Sequence, residues 1–187
     1  MALPTRLKTG RLWLRAPMQE DGPAVIAGLN DMATSRWLGR VPHPYGAGDF
    51  AAWLSRAAAG GRWVIVESGV VQGALTLEAE LGYWLRPEAR GRGLAREACD
   101  AVLAAHFADP AAGDVIAGYF EGNAASAKVL AGLGFCEVAR DRRPSASLGV
   151  ELPHVALRLT RGDWVRAKPL DSRGASRQHG GEGEGSC

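Results

Sequence analysis

The sequence has no dominant charge, no cysteine framework and no long apolar run. Lys and Arg number 22 against 20 Asp and Glu, a formal net charge of +2 in 187 residues. Without a wide basic surface there is no electrostatic basis for non-specific binding to a polyanion, so a general polyanion-binding role drops out and no nucleic-acid partner is expected. The three cysteines, Cys99, Cys136 and Cys187, are odd in number and far apart, so neither a disulfide scaffold nor a zinc cluster is expected. No apolar stretch approaches the ~18 residues that a membrane span needs. Met1 to Arg15 lacks an apolar core followed by a small-residue cleavage site, so export is not expected and the cytoplasm is the expected setting. No internal repeat is present, which removes solenoids and propellers. What the chain does have is 47% hydrophobic and 22% charged residues, enough to build one packed domain.

The expected domain runs over residues 9–166. Residues 167–187 are Gly-rich, with almost nothing apolar to offset their ordering entropy, and are expected to be a disordered tail. Inside the domain the hydrophobic period switches repeatedly. Arg11–Arg15 alternates as a strand with Leu12 and Leu14 inward, and Asp21–Leu29 reads as a helix with Pro23 in its first turn. Residues 30–48 read as a long irregular loop with short helical pieces, followed by a helix over Asp49–Ala59. Arg62–Glu67, Val70–Leu77 and Leu81–Leu85 are strands, the last two joined by a very short link at 78–80. Leu94–Phe107 carries two adjacent apolar stripes of a helix, with Cys99 among its core positions. A strand over Val115–Phe120, a helix over Asn123–Leu133 capped by Asn123 and Gly134, and strands over Phe135–Ala139 and His154–Thr160 complete the order βααβββαβαββ. Residues 140–143, Arg-Asp-Arg-Arg, read as a charged solvated loop. A helix between the strands at 81–85 and 115–120 requires a parallel right-handed crossover, so the fold class is α/β with a mixed (α+β type) twisted sheet flanked by helices.

The chemistry concentrates where the strand 81–85 runs through Arg90-Gly-Arg-Gly-Leu-Ala-Arg96 into a helix. Gly91 and Gly93 allow a sharp turn and close approach of a ligand, and a helix N-terminus offers free N–H groups and a partial positive charge. Arg90, Arg92 and Arg96 add cationic side chains. Together these form an anion cradle. It is not a Walker A loop, which needs Lys followed by Ser or Thr, and not a dinucleotide fingerprint, because Arg96 stands where a third glycine is required.

Arg90-x-x-Gly93-x-Ala95 resembles the Q/R-x-x-G-x-G/A acetyl-CoA signature of the GNAT N-acetyltransferase superfamily. The surroundings are similar to its RimJ/RimL-like branch: Thr9–Arg15, Pro42–Tyr45 with Ala52-Trp53, Leu81–Leu85, Asn123–Ser126 with Leu133–Phe135, and Leu159–Trp164, the last resembling the family's closing strand. These matches run in order over most of the chain. The resemblance implies a GNAT-type acyl-CoA N-acyltransferase fold, acetyl-CoA as cosubstrate, no metal, and an amine acceptor, either a peptide N-terminus or a small molecule, in a monomer or homodimer. It further implies that the backbone of Tyr83 and Leu85 pairs with the pantetheine arm. The main-chain N–H groups of Arg90, Gly91, Gly93 and Ala95 would bind the pyrophosphate, with Arg92 and Arg96 in support. Asn123 would hydrogen-bond the pantetheine, and Ser126 would lie near the thioester sulfur. Many members carry a tyrosine near the end of that helix as proton donor to the thiolate. This chain has Leu130 and no nearby tyrosine, so the role passes to Ser126.

The implied reaction is direct attack of an amine on the thioester in a ternary complex. No Cys–His pairing and no Gly-x-Ser-x-Gly supports a covalent intermediate. Glu80, at the start of the strand 81–85, is the candidate base, with Glu78 or water as alternatives and hairpin capping or pairing with an arginine as the non-catalytic reading. His43, Trp37, Tyr45 and Trp53 are candidate walls of an acceptor pocket, Trp53 fitting helix packing as well. His106 fits a helix-surface position. A non-catalytic acyl-CoA-binding module of the same fold and an Arg-mediated RNA or ribosome adaptor are the competing classes.

Overall fold

The structure is a computed structural model that describes residues 3–57 and 60–168. Eight strands form one sheet in the order β1-β2-β3-β4-β5-β6-β8-β7. They are β1 (Arg6–Lys8), β2 (Leu12–Arg15), β3 (Arg62–Glu67), β4 (Val70–Leu77), β5 (Leu81–Leu85), β6 (Val115–Phe120), β7 (Cys136–Ser145) and β8 (Val150–Leu159). All neighbours are antiparallel except β5 and β6. The parallel pair is joined by α4 (Leu94–Phe107), the crossover expected from the sequence.

Alternation in the strands sends side chains to two layers. On one face Leu12, Leu14, Ile65, Leu75, Leu81, Leu157 and Leu159 pack against Ala98, Val102 and Leu103 of α4, with Cys99 fully buried among them, and against Leu130 of α5 (Ala124–Gly132). On the other face Val64, Val66 and Val71 meet Val25 and Leu29 of α1 (Gly22–Leu29), Phe50 of α3 (Ala47–Ser55) and Tyr45. Burial holds the Tyr45 phenol protonated, its pKa pushed up to about 12. A one-turn helix, α2 (Met32–Ser35), interrupts the segment between α1 and α3 and is capped by Asp31, whose side chain accepts from Ala33 N at 3.1 Å and from Thr34 Oγ1 at 2.8 Å.

Four expectations change. β1 precedes the expected start of the domain and pairs with β2 across a tight turn closed by Thr9 N to Leu12 O (2.9 Å). α3 begins two residues earlier than the apolar period indicates, because the Asp49 carboxylate accepts from Gly46 N (2.8 Å) and fixes the N-terminus there. Residues 140–143 are not a loop but the middle of β7, whose hairpin with β8 spans Cys136↔Arg158 to Ser145↔Val150. β7 is an edge strand exposed along most of its length, so charged side chains on it meet water rather than a core. Residues 161–164 are helical rather than strand: Thr160 and Asp163 form a reciprocal capping box opening α6 (Arg161–Ala167). Trp164 of that helix reaches Asp100 (3.2 Å) and the Phe107 ring (5.4 Å), closing the far end of α4. Of the expected tail, residues 167–187, Ala167 is the last residue of α6, and residues 169–187 lie outside the described residues.

Candidate active site

The centre of the sheet is split. β5 pairs with β4 along its whole length and β6 pairs with β8 along its whole length, but β5 and β6 meet at the single pair Leu81↔Ala117. Beyond it the two strands diverge. The direction of their main-chain groups follows from the ladder pattern. Arg86 N donates to Gln72 O at 2.8 Å, so the adjacent pairs Leu85↔Gly73 and Tyr83↔Leu75 are the non-hydrogen-bonded ones. The N–H and C=O groups of Tyr83 and Leu85 therefore face the gap. On the opposite wall, Glu121 N donates to Pro153 O at 2.9 Å, which by the same alternation turns the main-chain groups of Gly118 and Phe120 into the gap. Leu85 O already accepts from Arg90 Nε (3.2 Å) and Phe120 O from Asn123 N (3.1 Å), so what the gap offers an extended ligand carrying amides of its own is chiefly the N–H and C=O of Tyr83 and the N–H of Leu85.

The C-terminal mouth of the gap opens on the glycine loop. Gly91 (φ 72°) and Gly93 (φ 78°) both adopt the left-handed conformation, which only glycine enters without strain. A Cβ on Gly91 would have nothing within 4 Å, so the space above it is open. Gly93 is the residue preceding α4, and the N–H groups from Gly91 to Arg96 make no hydrogen bond among the described residues. The N–H of Arg90 is different: it donates to Pro87 O (3.2 Å) and is not part of that free run. The Arg90 side chain is also committed, through Nε to Leu85 O (3.2 Å) and through Nη2 to both Thr34 Oγ1 and Asp31 (3.5 Å to the carboxylate), tying the loop to α2. Arg92 turns away to Glu67 (2.8 Å), whereas Arg96 lies against Gly132 of α5 with no ion pair among the described residues. Of the expected cationic supports, Arg96 is therefore the one left available.

Glu97 holds this loop in place. Its carboxylate accepts from Thr9 Oγ1 (2.5 Å), Arg11 N (2.9 Å) and Arg11 Nε (2.7 Å), and Arg11 Nη1 in turn donates to Arg92 O (2.9 Å). Partial burial pushes its pKa up, but the hydrogen bonds from Thr9 and Arg11 outweigh that and hold it below its ordinary 4.5.

On the α4/α5 side of the gap, Tyr83 OH and Ser126 Oγ are 3.0 Å apart. Desolvation raises the pKa of the Tyr83 phenol far above its ordinary value, so it remains a donor at neutral pH. Asn123 Oδ1 accepts from Ser126 N (3.2 Å) as the α5 cap, which leaves its amide nitrogen without a partner among the described residues. On the opposite side, Glu80 sits in the tight β4–β5 turn and accepts from Arg143 Nη1 (2.7 Å). Glu78 pairs with the buried Arg62 (2.6 Å) and lies away from this cluster. Arg143 Nε also reaches Asp141 Oδ2 (3.2 Å), and Asp141 Oδ1 is 2.8 Å from Nδ1 of the buried His154. Sequence reasoning missed both the Tyr83 hydroxyl and the His154–Asp141 pair. The first was read only for its backbone, and the second joins residues that meet only through strand register. His106 bonds Gly113 O (2.9 Å) at the helix surface, and Trp53 packs on Phe50 (6.0 Å) as part of a core. No group of three or more metal-ligating side chains is present among the described residues, and no helix there is long and apolar enough to cross a membrane.

The profile of the acetyltransferase (GNAT) domain family matches residues 11–136. The chain belongs to this family and is an N-acetyltransferase. Solved structures with a similar fold include RimJ from Mycobacterium smegmatis in complex with CoA-disulfide (22% identity, TM-score 0.69, covering 87% of this chain and 86% of that one). The ribosomal-protein-S5-alanine acetyltransferase of Vibrio fischeri is 18% identical (TM-score 0.69, 89% and 100% covered). The spermidine N-acetyltransferase of Vibrio cholerae, in complex with CoA and spermine, is 16% identical (TM-score 0.71, 84% and 99% covered). A search of curated proteins returns no match.

Proposed function

We propose that this protein transfers the acetyl group of acetyl-CoA to a primary amine, either a protein N-terminus or a small molecule, by direct attack in a ternary complex. The observation that carries the reading is the continuity of the β5/β6 gap with the free N–H run of Gly91 to Arg96. The gap offers both peptide groups of Tyr83 and the N–H of Leu85 to the amides of a pantetheine arm, and the run offers donors and a helix N-terminus to a pyrophosphate. The open space above Gly91 and the unpaired Arg96 fit the same ligand. Acetyl-CoA supplies the activated acyl carbon and a thiolate leaving group.

The chain's own groups must then position the amine and manage two protons. As the amine nitrogen bonds to the carbonyl carbon, the carbon–sulfur bond breaks with its electron pair on sulfur. The Tyr83 phenol donates to Ser126 Oγ, which frees the Ser126 hydroxyl proton to turn toward the sulfur. As Ser126 gives that proton to the sulfur it takes the Tyr83 phenolic proton in its place, and the Tyr83 oxygen is reprotonated from water. Asn123 holds the first turn of α5 in register for this and presents its amide nitrogen to the arm. The test is an acetyl-CoA turnover screen against N-terminal peptides, polyamines and aminoglycosides, read as free thiol. Thiol release that depends on one of these amines supports the reading. Calorimetrically silent acetyl-CoA and no thiol release with any amine would refute it.

A further inference from the structure

We propose that His154, oriented by Asp141, is the group that takes the proton from the attacking amine; this rests on the acyl-transfer reading above. A carboxylate only accepts hydrogen bonds, so the 2.8 Å contact with Asp141 Oδ1 makes His154 Nδ1 the donor, which in the neutral ring puts the lone pair on Nε2. Asp141 is held ionised, its pKa lowered first by that hydrogen bond from His154 and further by Arg143.

Nε2 points at the gap wall. His154 lies opposite Phe120 in a non-hydrogen-bonded pair, where side chains stand closest, and the two rings meet edge to face at 5.9 Å. From there the ring leans over Gly118. A Cβ on residue 118 would fall 2.2 Å from Nε2, so glycine is what admits the imidazole to this spot. Gly118 is the first β6 residue beyond the last register pair with β5, at the point where the gap opens. Among the described residues the buried polar side-chain atoms left without a partner are His43 Nδ1 and Arg62 Nε. His154 Nε2 makes no hydrogen bond among the described residues and is not one of these fully buried atoms.

The placement also separates the two proton transfers. The side chains of Phe120 and His154, and the open side of Gly118, lie on the face of α1–α3, whereas Tyr83 and Ser126 lie on the face of α4 and α5. An amine entering from the first face loses its proton to Nε2 as its nitrogen bonds to the acyl carbon. The departing sulfur gains one from Ser126 on the other face. The imidazolium, with Nδ1–H retained by Asp141, then releases its extra proton to water. Glu80 has a different part in this arrangement. Through Arg143 it braces Asp141, which makes it a positioning residue rather than the base.

The test uses the full-length protein with the amine of highest turnover in the screen above. His154→Ala is expected to lower kcat/KM for the amine about 100-fold, within the usual range for a general base, with acetyl-CoA affinity within twofold of wild type. Added imidazole is expected to restore activity to His154→Ala, and a series of substituted imidazoles to restore it in order of basicity, which a merely structural role would not produce. Asp141→Asn is expected to cost about 10-fold and to gain nothing from imidazole. If His154→Ala does not fold, His154→Gln, which retains a polar group of similar reach, is read instead with its melting curve. A folded variant of either kind within threefold of wild type, or a loss of activity unmoved by every imidazole, overturns the assignment while leaving the acyl-transfer reading intact. A wild-type protein that transfers acetyl to no amine overturns both.

Discussion

Replacing Ser126 by alanine separates a chemical from a structural role with unusual clarity, because the two use different atoms. The cap of α5 runs from Ser126 N to Asn123 Oδ1 and involves no part of the Ser126 side chain, so alanine leaves it whole. What alanine removes is Oγ, the partner of Tyr83 OH at 3.0 Å. The Tyr83 hydroxyl would then sit largely desolvated without a partner, a cost of about 1 kcal/mol at the lower end of the ~1–3 kcal/mol range for such groups. For a protein of this size that lowers Tm by roughly 2–4 °C. The kinetic effect is larger. General-acid assistance contributes ~10²–10⁴-fold, but a thiolate is a fair leaving group, so kcat should fall about 10- to 100-fold with little change in acetyl-CoA affinity. Steady-state kinetics, calorimetry and a thermal melt on Ser126→Ala read all three quantities. Tyr83→Phe in the Ser126→Ala background should cost little more, since the pair acts as a unit. Unchanged kcat in a folded Ser126→Ala protein would refute the donor role and leave water as the source of the proton.

Asn123→Ala removes the cap itself and should destabilise the protein by about 1 kcal/mol in a melt, in addition to weakening acetyl-CoA binding. Gly91→Ala forces a left-handed φ on a residue with a side chain, costing about 1–2 kcal/mol, although the added methyl meets nothing; urea melts should show the loss and titration a weaker pyrophosphate cradle. Glu97→Gln weakens the tie between Thr9, Arg11 and the loop, for a loss of about 1–2 kcal/mol at neutral pH. Because the Glu97 pKa is depressed in the folded protein, its contribution is present above the ordinary 4.5 and fades as pH falls through the lowered folded value. The wild-type advantage over Glu97→Gln should therefore shrink in melts below pH 4.5, and a difference independent of pH would show that the carboxylate charge is not what holds the loop.

Much of this arrangement is legible in the sequence wherever one residue's own neighbours decide its state. β3, β4, β5, α4 and β6 fall at the expected residues because each carries an unmixed period and ends at glycine, proline or a short polar link. Gly91 and Gly93 are readable for the same reason, since the backbone conformation they permit is a local property. β1 is not readable at three residues, because its pairing comes entirely from β2. The β7–β8 hairpin escapes because its charged middle, residues 140–143, looks like a loop until its edge position is known. The parts of the site that escape are those made by long-range register. Tyr83 and Ser126 are 43 residues apart in sequence, and Asp141 meets His154 only because β7 and β8 place them directly opposite. The place of Glu80 just before β5 is legible in the sequence, but its partner, Arg143, lies 63 residues on, and that partner changes what the carboxylate can do.

The central claim is that acetyl-CoA lies in the gap between β5 and β6 with its pyrophosphate on the free amides of the glycine loop. Amide hydrogen exchange with and without acetyl-CoA, resolved by residue, tests this directly. The account predicts that acetyl-CoA slows exchange at Tyr83, at Leu85 and along Gly91 to Arg96, with little change at Arg90, whose N–H is already bonded to Pro87. Protection confined to other segments, or binding that leaves Gly91 to Arg96 exchanging as fast as in the free protein, would contradict it.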